Sequence, residues 1–133
     1  MDNCVFCMIV AGDIPSMRVY EDEDCIATLD IGPANPGHTL IIPKKHVKDL
    51  TELDEALAGK LLMAAKKIGM RQMERLGADG FNIVQNNGEA AGQSVLHFHI
   101  HVIPRFKDDG AVGLWKPGNP SKDELSEIAD KLS

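Results

Sequence analysis

The segment LHFHIHVIPR, residues 96–105, alternates histidine with apolar residues, and this alternation constrains the fold more than any other feature of the chain. Successive side chains of a β-strand point to opposite faces, so the histidines share one face and the apolar residues share the other. The histidines are His97, His99 and His101, and the apolar residues are Phe98, Ile100 and Val102. The pattern predicts a strand over residues 95–103 whose apolar face lies in the core.

Three histidines on one strand face indicate a functional site, because β-propensity alone favours Thr, Val or Tyr there. At about 3.3 Å per residue, neighbouring histidines lie about 6.6 Å apart and His97 lies about 13 Å from His101. One small centre can therefore use two of them, but not all three unless the strand bends. Two uses remain open: histidines that share a catalytic zinc ion, or imidazoles that act as nucleophile and proton donor without metal.

Four further strands are predicted from apolar and β-branched runs that end at turn residues. They cover residues 17–21, 25–31, 38–43 and 81–86. From Thr51 the apolar spacing changes to three, four or eight residues, which predicts a long helix that ends before Gly77. Thr51 with Asp54 resembles a capping signal.

Two interior glycines, Gly59 and Gly69, count against the long helix. Residues 121–132 have the pattern of a short amphipathic helix. Five strands with one long helix after the third predict an α+β fold with a mainly antiparallel sheet. We expect a single domain over residues 1–133.

The net charge and the hydropathy of the chain limit the classes of partner that we expect it to bind. The net charge of −6 disfavours binding to nucleic-acid polymers, which draws on clustered Lys and Arg. No apolar run approaches the ~20 residues of a membrane span, and the N-terminus has no basic segment before a long apolar run. We therefore expect a cytoplasmic protein that binds neither membranes nor nucleic-acid polymers.

The loop NNGEAAGQS, residues 86–94, precedes the histidine strand and combines two glycines with polar ends. Backbone N–H groups of such a loop can hold an anion, and Asn86, Gln93 and Ser94 add donors. The loop lacks the Gly-Lys-Ser/Thr ending of a Walker loop, so a plain hairpin loop remains the alternative. His38, at the start of the third strand, is a further candidate site residue.

Cys4 and Cys7 form a Cys-x-x-Cys pair, which is half of a tetrahedral zinc site. His46 and His97 are available to complete a Cys₂His₂ set. The alternative is a reduced pair that packs near the N-terminus. A zinc site would give His97 a separate task and leave His99 and His101 to work together.

These segments resemble the histidine-triad (HIT) superfamily of nucleotide hydrolases and transferases, and most closely its Hint-like branch. HFHIHVI is similar to the triad signature, and the resemblance covers residues 3–106. It implies a homodimer with a continuous sheet and one nucleotide pocket in each subunit. It also implies that His99 is the nucleophile that forms a nucleotidyl-histidine, while His101 and His38 bind the phosphate and assist proton transfer.

The resemblance assigns further residues to the nucleotide and to a metal. Asp30 holds the ribose hydroxyls, and polar residues of the loop contact the phosphate or the leaving group. The implied nucleotide-binding residues are Asp30, Asn86, Gln93, Ser94, Val5, Phe6, Ile9 and Ile31. Members with an N-terminal Cys-x-x-Cys bind a structural, non-catalytic zinc ion, here through Cys4, Cys7, His46 and His97.

The third triad position is His101 and not glutamine, which favours hydrolysis over nucleotidyl transfer. The resemblance implies cleavage at the α-phosphate of purine nucleoside phosphoramidates or related nucleotidyl conjugates. The alternatives are a dinucleoside polyphosphate hydrolase and a non-catalytic, zinc-stabilised protein that binds nucleotides and partners. The resemblance weakens after Phe106, in the region that helps to choose the leaving group.

Overall fold

The computed structural model describes residues 3–133 and shows one sheet with three helices. The strands are β1 (Arg18–Glu21), β2 (Cys25–Leu29), β3 (Thr39–Pro43), β4 (Gly80–Val84) and β5 (Ile100–Arg105). The helices are α1 (Val5–Ala11), α2 (Glu55–Leu76) and α3 (Lys122–Leu132). The strand order is β1-β2-β3-β5-β4, and each neighbouring pair is antiparallel. The predicted α+β class is confirmed.

The sheet separates two apolar layers because alternate side chains of each strand face opposite sides. On one side α2 packs against the sheet, burying a cluster that includes Leu61, Ile68, Ile41 and Val102. On the other side Phe6 of α1 packs against side chains of β2 and β3, which are Ile26, Leu40 and Ile42. The helix α2 therefore covers one face, and α1 covers part of the face that carries the histidines.

The predicted start of the long helix at Thr51 is wrong. Thr51 lies in a separate 3₁₀ turn, Leu50–Glu52, whose cap is Asp49. The helix α2 begins at Glu55, where the Asp54 side chain accepts the N–H of Leu57. A carboxylate at each of these N-caps satisfies a free backbone donor, so the short 3₁₀ turn and α2 each begin at their own aspartate cap. The predicted stop is confirmed, because Gly77 adopts a left-handed conformation with φ of 72°.

The predicted start of the histidine strand at residue 95 is also wrong, since β5 begins at Ile100. Pairing between β3 and β5 starts at Ile41 with Ile100, and the Phe98 N–H instead donates to the carbonyl of Val47 over 2.8 Å. The alternation still holds, because Phe98, Ile100 and Val102 all lie in the core beneath α2. The local pattern therefore predicted the faces correctly although the strand is shorter.

The helix α1 was not predicted. Its backbone begins at the Cys4 cap, where the thiol sulfur accepts the Cys7 N–H over 3.3 Å, and ends at Gly12 with φ of 85°. The predicted C-terminal helix is confirmed as α3, with Ser121 as its cap. Within residues 3–133, none of the helices combines the length and apolar character needed to cross a membrane.

Candidate functional site

His97 is fully buried and joins the N-terminal cysteines to the histidine segment. Its Nδ1 lies 3.3 Å from the Cys4 sulfur and 3.5 Å from the Cys7 sulfur. The Nδ1 of His46 lies 3.1 Å from the Nδ1 of His97 and 3.3 Å from the Cys7 sulfur. The four ligand atoms lie within 4.8 Å of one another, so the structure brings together all four residues predicted to bind metal.

The cluster fits a tetrahedral zinc ion. Zinc–sulfur bonds of about 2.3 Å and zinc–nitrogen bonds of about 2.0–2.1 Å place the ligand atoms of a tetrahedron roughly 3.3–3.8 Å apart. The His97 Nε2–H donates to the Pro43 carbonyl over 2.9 Å, which leaves Nδ1 unprotonated and directed at the cysteines. Burial, with the neighbouring Cys4 adding to it, raises the pKa of the Cys7 thiol to about 11. A divalent cation is the partner that would favour the thiolate here.

The His99 imidazole is held by the backbone of its own segment. Its Nδ1 lies 2.8 Å from the His97 carbonyl oxygen, which can only accept, so Nδ1 carries the proton. Nε2 therefore keeps its lone pair. Burial lowers the pKa of His99, which is 7% exposed as a residue, and so favours the neutral imidazole. Phe6 of α1 packs edge-on against it with ring centroids 4.8 Å apart.

His38 and His101 form a hydrogen-bonded pair across β3 and β5. The Ala34 N–H donates to His38 Nδ1 over 3.0 Å, so the His38 proton resides on Nε2. That Nε2–H donates to His101 Nδ1 over 2.9 Å, which fixes the His101 proton on its own Nε2. Burial, with His99 and His38 nearby, lowers the pKa of His101 to about 4. The pair thus presents one N–H donor beside His99.

Asp30 extends this pair. One carboxylate oxygen lies 3.5 Å from His38 Nε2, and the other accepts the Gly32 N–H over 2.8 Å. Asp30, His38 and His101 also lie close enough to share a metal ion. However, the Nδ1 lone pair of His101 already accepts the His38 proton, and His99 is not part of this group. The geometry of Asp30, His38 and His101 therefore favours a hydrogen-bonded chain over a catalytic metal site.

A cavity of ≈ 350 Å³ opens between α1, β2 and the histidine segment. Asp30, Ser94, His99 and His101 line it at the polar end. All four predicted apolar contacts line it too, namely Val5, Phe6, Ile9 and Ile31. Sequence reasoning missed further lining residues, which are Ile14, Pro15, Ser16, Thr28, Leu29, Leu40 and Val95. For Thr28 a signal existed, because it shares its strand face with Asp30.

Two predicted polar contacts lie outside this cavity. The Gln93 side chain is 5% exposed and holds the loop together: Oε1 accepts the Gly88 N–H over 2.8 Å, and Nε2 donates to the Lys48 and Val95 carbonyls. The Asn86 amide packs near Gly92. Both residues therefore shape the loop that ends at Ser94, which does line the cavity.

The chain matches known proteins along most of its length. The sequence model of the HIT domain matches residues 11–108. Protein hit of Bacillus subtilis is 48% identical over 116 residues, covering 86% of this chain and 80% of that protein. The protein named adenosine 5′-monophosphoramidase hnt1 of Schizosaccharomyces pombe is 36% identical over 132 residues, covering 98% of this chain and 96% of that protein.

Solved structures agree with these relatives. The crystal structure of SMU.412c from Streptococcus mutans has a TM-score of 0.93 at 45% identity, covering 99% of this chain and 84% of that chain. A zinc-bound histidine triad protein from Mycobacterium smegmatis has a TM-score of 0.80 at 39% identity and covers 98% of each chain. With its sheet, its histidine segment and these matches, the chain belongs to the HIT family.

Proposed function

We propose that the protein is a nucleotide hydrolase that cleaves at the α-phosphate of purine nucleoside phosphoramidates or related nucleotidyl conjugates. The observation that carries this proposal is the fixed tautomer of His99, which bonds through Nδ1 to the His97 carbonyl and keeps the Nε2 lone pair beside the cavity. The relative named a monophosphoramidase supports the substrate class.

In the first step, the Nε2 lone pair of His99 attacks the α-phosphorus and the phosphorus–nitrogen bond to the leaving group breaks. The His101 Nε2–H donates a hydrogen bond to a phosphate oxygen, and the His38 Nε2–H keeps His101 oriented by donating to its Nδ1 across their 2.9 Å contact. The departing nitrogen takes its proton from a solvent water and leaves as the free amine. Water then attacks the nucleotidyl-histidine, the bond from phosphorus to His99 breaks, and the nucleoside monophosphate leaves.

The rest of the pocket would hold the nucleotide. Asp30 accepts the ribose hydroxyls, the apolar side chains of α1 and Ile31 enclose the base, and Ser94 donates to the phosphate. Asn86 and Gln93 contribute by shaping the loop whose N–H groups face the anion. A zinc ion on Cys4, Cys7, His46 and His97 would be structural and would stabilise the folded chain. Four protein ligands complete its tetrahedral coordination and leave no open position for a reacting water. We further propose that the active species is a homodimer.

The test is a labelled-intermediate experiment. The protein is mixed with an adenosine phosphoramidate, quenched, and searched by mass spectrometry for an adenylylated peptide that contains His99. We expect turnover and the adduct in the wild type, and loss of both with His99→Gln, with turnover reduced at least about 10⁴-fold.

The same samples separate the alternatives. AMP should raise the melting temperature of both the wild type and His99→Gln, because the substitution leaves the pocket intact. If AMP stabilises both proteins while neither turnover nor adduct is found for any phosphoramidate tried, a non-catalytic nucleotide-binding protein is the better account. Preference for a dinucleoside polyphosphate over the phosphoramidate would favour the other hydrolase.

A further inference from the structure

Gln72 is a buried amide on the inner face of α2, where the surrounding positions are apolar. The residue is 3% exposed, and the residues two turns and one turn before it, Ala65 and Ile68, belong to the core under the sheet. Burying an amide costs free energy unless it is hydrogen-bonded. The bonds that Gln72 makes therefore explain why an amide can occupy this position.

Both hydrogen bonds of the Gln72 amide go to backbone carbonyls next to the paired imidazoles, one in the turn before β3 and one in β5. Its Nε2 donates to the Gly37 carbonyl over 3.1 Å and to the Val102 carbonyl over 3.0 Å. Gly37 directly precedes His38, and Val102 directly follows His101. One NH₂ group thus joins the two strands at the residues that flank the His38–His101 pair.

The imidazoles lie on the other face of the sheet. Thr39 pairs with Val102, Leu40 pairs with His101, and Val102 belongs to the core beneath α2. Since alternate residues face opposite sides, His101 points away from α2 and into the cavity that it lines. Gln72 consequently acts on the pair only through the backbone, and it does not contact the cavity.

The turn before His38 is fitted closely to the end of α2. Gly37 has φ of 100°, a conformation that favours glycine, and a Cβ there would approach Leu76 Cδ1 to 2.5 Å and Pro104 Cγ to 3.4 Å. The last turns of α2 therefore press directly on this turn. A substitution at Gln72 is therefore expected to shift the Gly37 backbone and, with it, the neighbouring His38.

The oxygen of the same amide has no partner. Among residues 3–133, Gln72 Oε1 is the buried side-chain nitrogen or oxygen atom left without a hydrogen bond. Leaving a buried acceptor unpaired lowers stability. The lost stability is accepted at a position where one NH₂ group binds two backbone carbonyls. The two donors therefore indicate a role for Gln72 other than filling the core.

We propose that Gln72 is a positioning residue, whose amide sets the spacing of β3 and β5 at which His38 Nε2–H donates to His101 Nδ1. The assignment of catalytic work to this pair rests on the proposed function. The hydrogen bond itself can be observed whether or not the protein turns over a nucleotide.

The test compares Gln72→Met with Leu57→Ala by histidine ¹⁵N NMR and steady-state kinetics of the full chain. Gln72→Met keeps the side-chain volume and removes both donors, whereas Leu57→Ala weakens the same helix at its other end. We expect the wild type to show a slowly exchanging His38 Nε2–H. In Gln72→Met this proton should exchange at least about tenfold faster, with kcat lowered about ten- to a hundredfold and KM changed by less than about twofold.

Leu57→Ala is expected to lower the melting temperature yet keep the imidazole proton and kcat. Retention of the proton and of kcat in Gln72→Met would overturn the proposal, and so would an equal loss in Leu57→Ala. If the wild type has no turnover but Gln72→Met loses the proton, the positioning role stands and the proposed function fails. Should Gln72→Met not fold, Gln72→Leu, which also removes the NH₂ group and is smaller than methionine, gives the same comparison.

Discussion

The residue His97 connects the two halves of the histidine segment. Its Nδ1 lies in the Cys₂His₂ cluster, its Nε2–H donates to Pro43, and its carbonyl accepts the Nδ1–H of His99. The side chain that would bind zinc thus belongs to the residue whose carbonyl orients His99, the proposed nucleophile. The histidine proposed to bind zinc and the histidine proposed to be the nucleophile are therefore linked through one stretch of backbone.

The catalytic imidazoles should stay neutral at mildly acidic pH. Burial lowers the pKa of His38 and His99 and lowers that of His101 to about 4, while the Asp30 carboxylate acts in the opposite direction. A histidine with a lowered pKa takes up its proton only as the pH falls below the ordinary 6.5. We therefore expect the acid limb of kcat/KM below pH 6.5.

Steady-state assays from pH 4 to 8 measure this limb. Asp30→Asn removes the charge that favours protonation, so it should move the limb to lower pH even where it weakens nucleotide binding. An acid limb at pH 6.5 or above in the wild type would contradict the expected burial of these imidazoles.

The two glycines inside α2 should respond in opposite ways to alanine. A Cβ at Gly69 would overlap the ring of Phe81, whereas nothing lies within 4 Å of the Cβ position at Gly59. Gly69→Ala should lower the free energy of unfolding by about 1–3 kcal/mol through overpacking. Gly59→Ala should raise it by about 0.5–1 kcal/mol, because alanine loses less conformational entropy in a helix.

Urea unfolding of both variants beside the wild type gives these values. Equal effects of the two substitutions would mean that helix propensity alone decides at both positions. The expected difference would show why Gly69 interrupts the helix pattern: it provides the space in which β4 approaches α2.

At the scale of elements, α1 serves both the metal cluster and the cavity. Cys4 caps its N-terminus, Cys7 lies in its first turn, and Phe6 and Ile9 line the cavity beside His99. The helix has only 7 residues, which is too short for stability by itself. Its position should therefore depend on the cluster at its N-terminus.

Removal of one proposed zinc ligand should loosen α1 and leave His99 in place. Cys4→Ser is expected to abolish zinc binding, lower the melting temperature by at least about 5 °C and raise KM more than it lowers kcat. Metal analysis by mass spectrometry, thermal melts and kinetics measure the three effects. Cys25→Ala, which changes the cysteine outside the cluster, should keep one zinc ion per chain.

Chelation offers the matching experiment on the wild type. A chelator should lower thermal stability and spare turnover in the protein that remains folded. Complete loss of turnover at unchanged stability would indicate a catalytic metal and would revise the structural assignment.

At the scale of the whole molecule, β4 forms one edge of the sheet. An edge strand presents unpaired N–H and C=O groups that can pair with another chain. Ile83 on β4 is 42% exposed, and Met70 and Met73 on α2 are also exposed. These features support the proposed homodimer with a continuous sheet.

Light scattering after size exclusion should give twice the mass of one chain. Ile83→Lys places a charge on the β4 edge and should weaken association at least about tenfold. Ile128→Lys on α3 is the control, because it adds the same charge to another exposed apolar position and should leave the mass unchanged. Dissociation by the control alone would place the interface on α3.

The spacing of apolar and polar residues within each segment predicted much of the fold and of the candidate site. The strand pattern gave all five strands to within a few residues, except for the early start of the histidine strand. The helix α1 escaped prediction because its apolar residues face the sheet and the cavity on several sides, without a clear amphipathic period. Gln93 was singled out from the sequence, but its hydrogen bonds within the loop could not be predicted, because its partners are backbone groups of distant and neighbouring turns.

The sequence by itself determined the face of each strand and the set of candidate ligands, because alternation and residue chemistry are local properties. Only the tertiary structure decided the proton positions: the His97 carbonyl directs His99, and the Ala34 N–H sets the protons of His38 and His101. These proton positions depend on donors and acceptors that lie far apart in the chain, or whose direction is set by the local backbone conformation. Their geometry exists only after the strands, α1 and α2 have packed together.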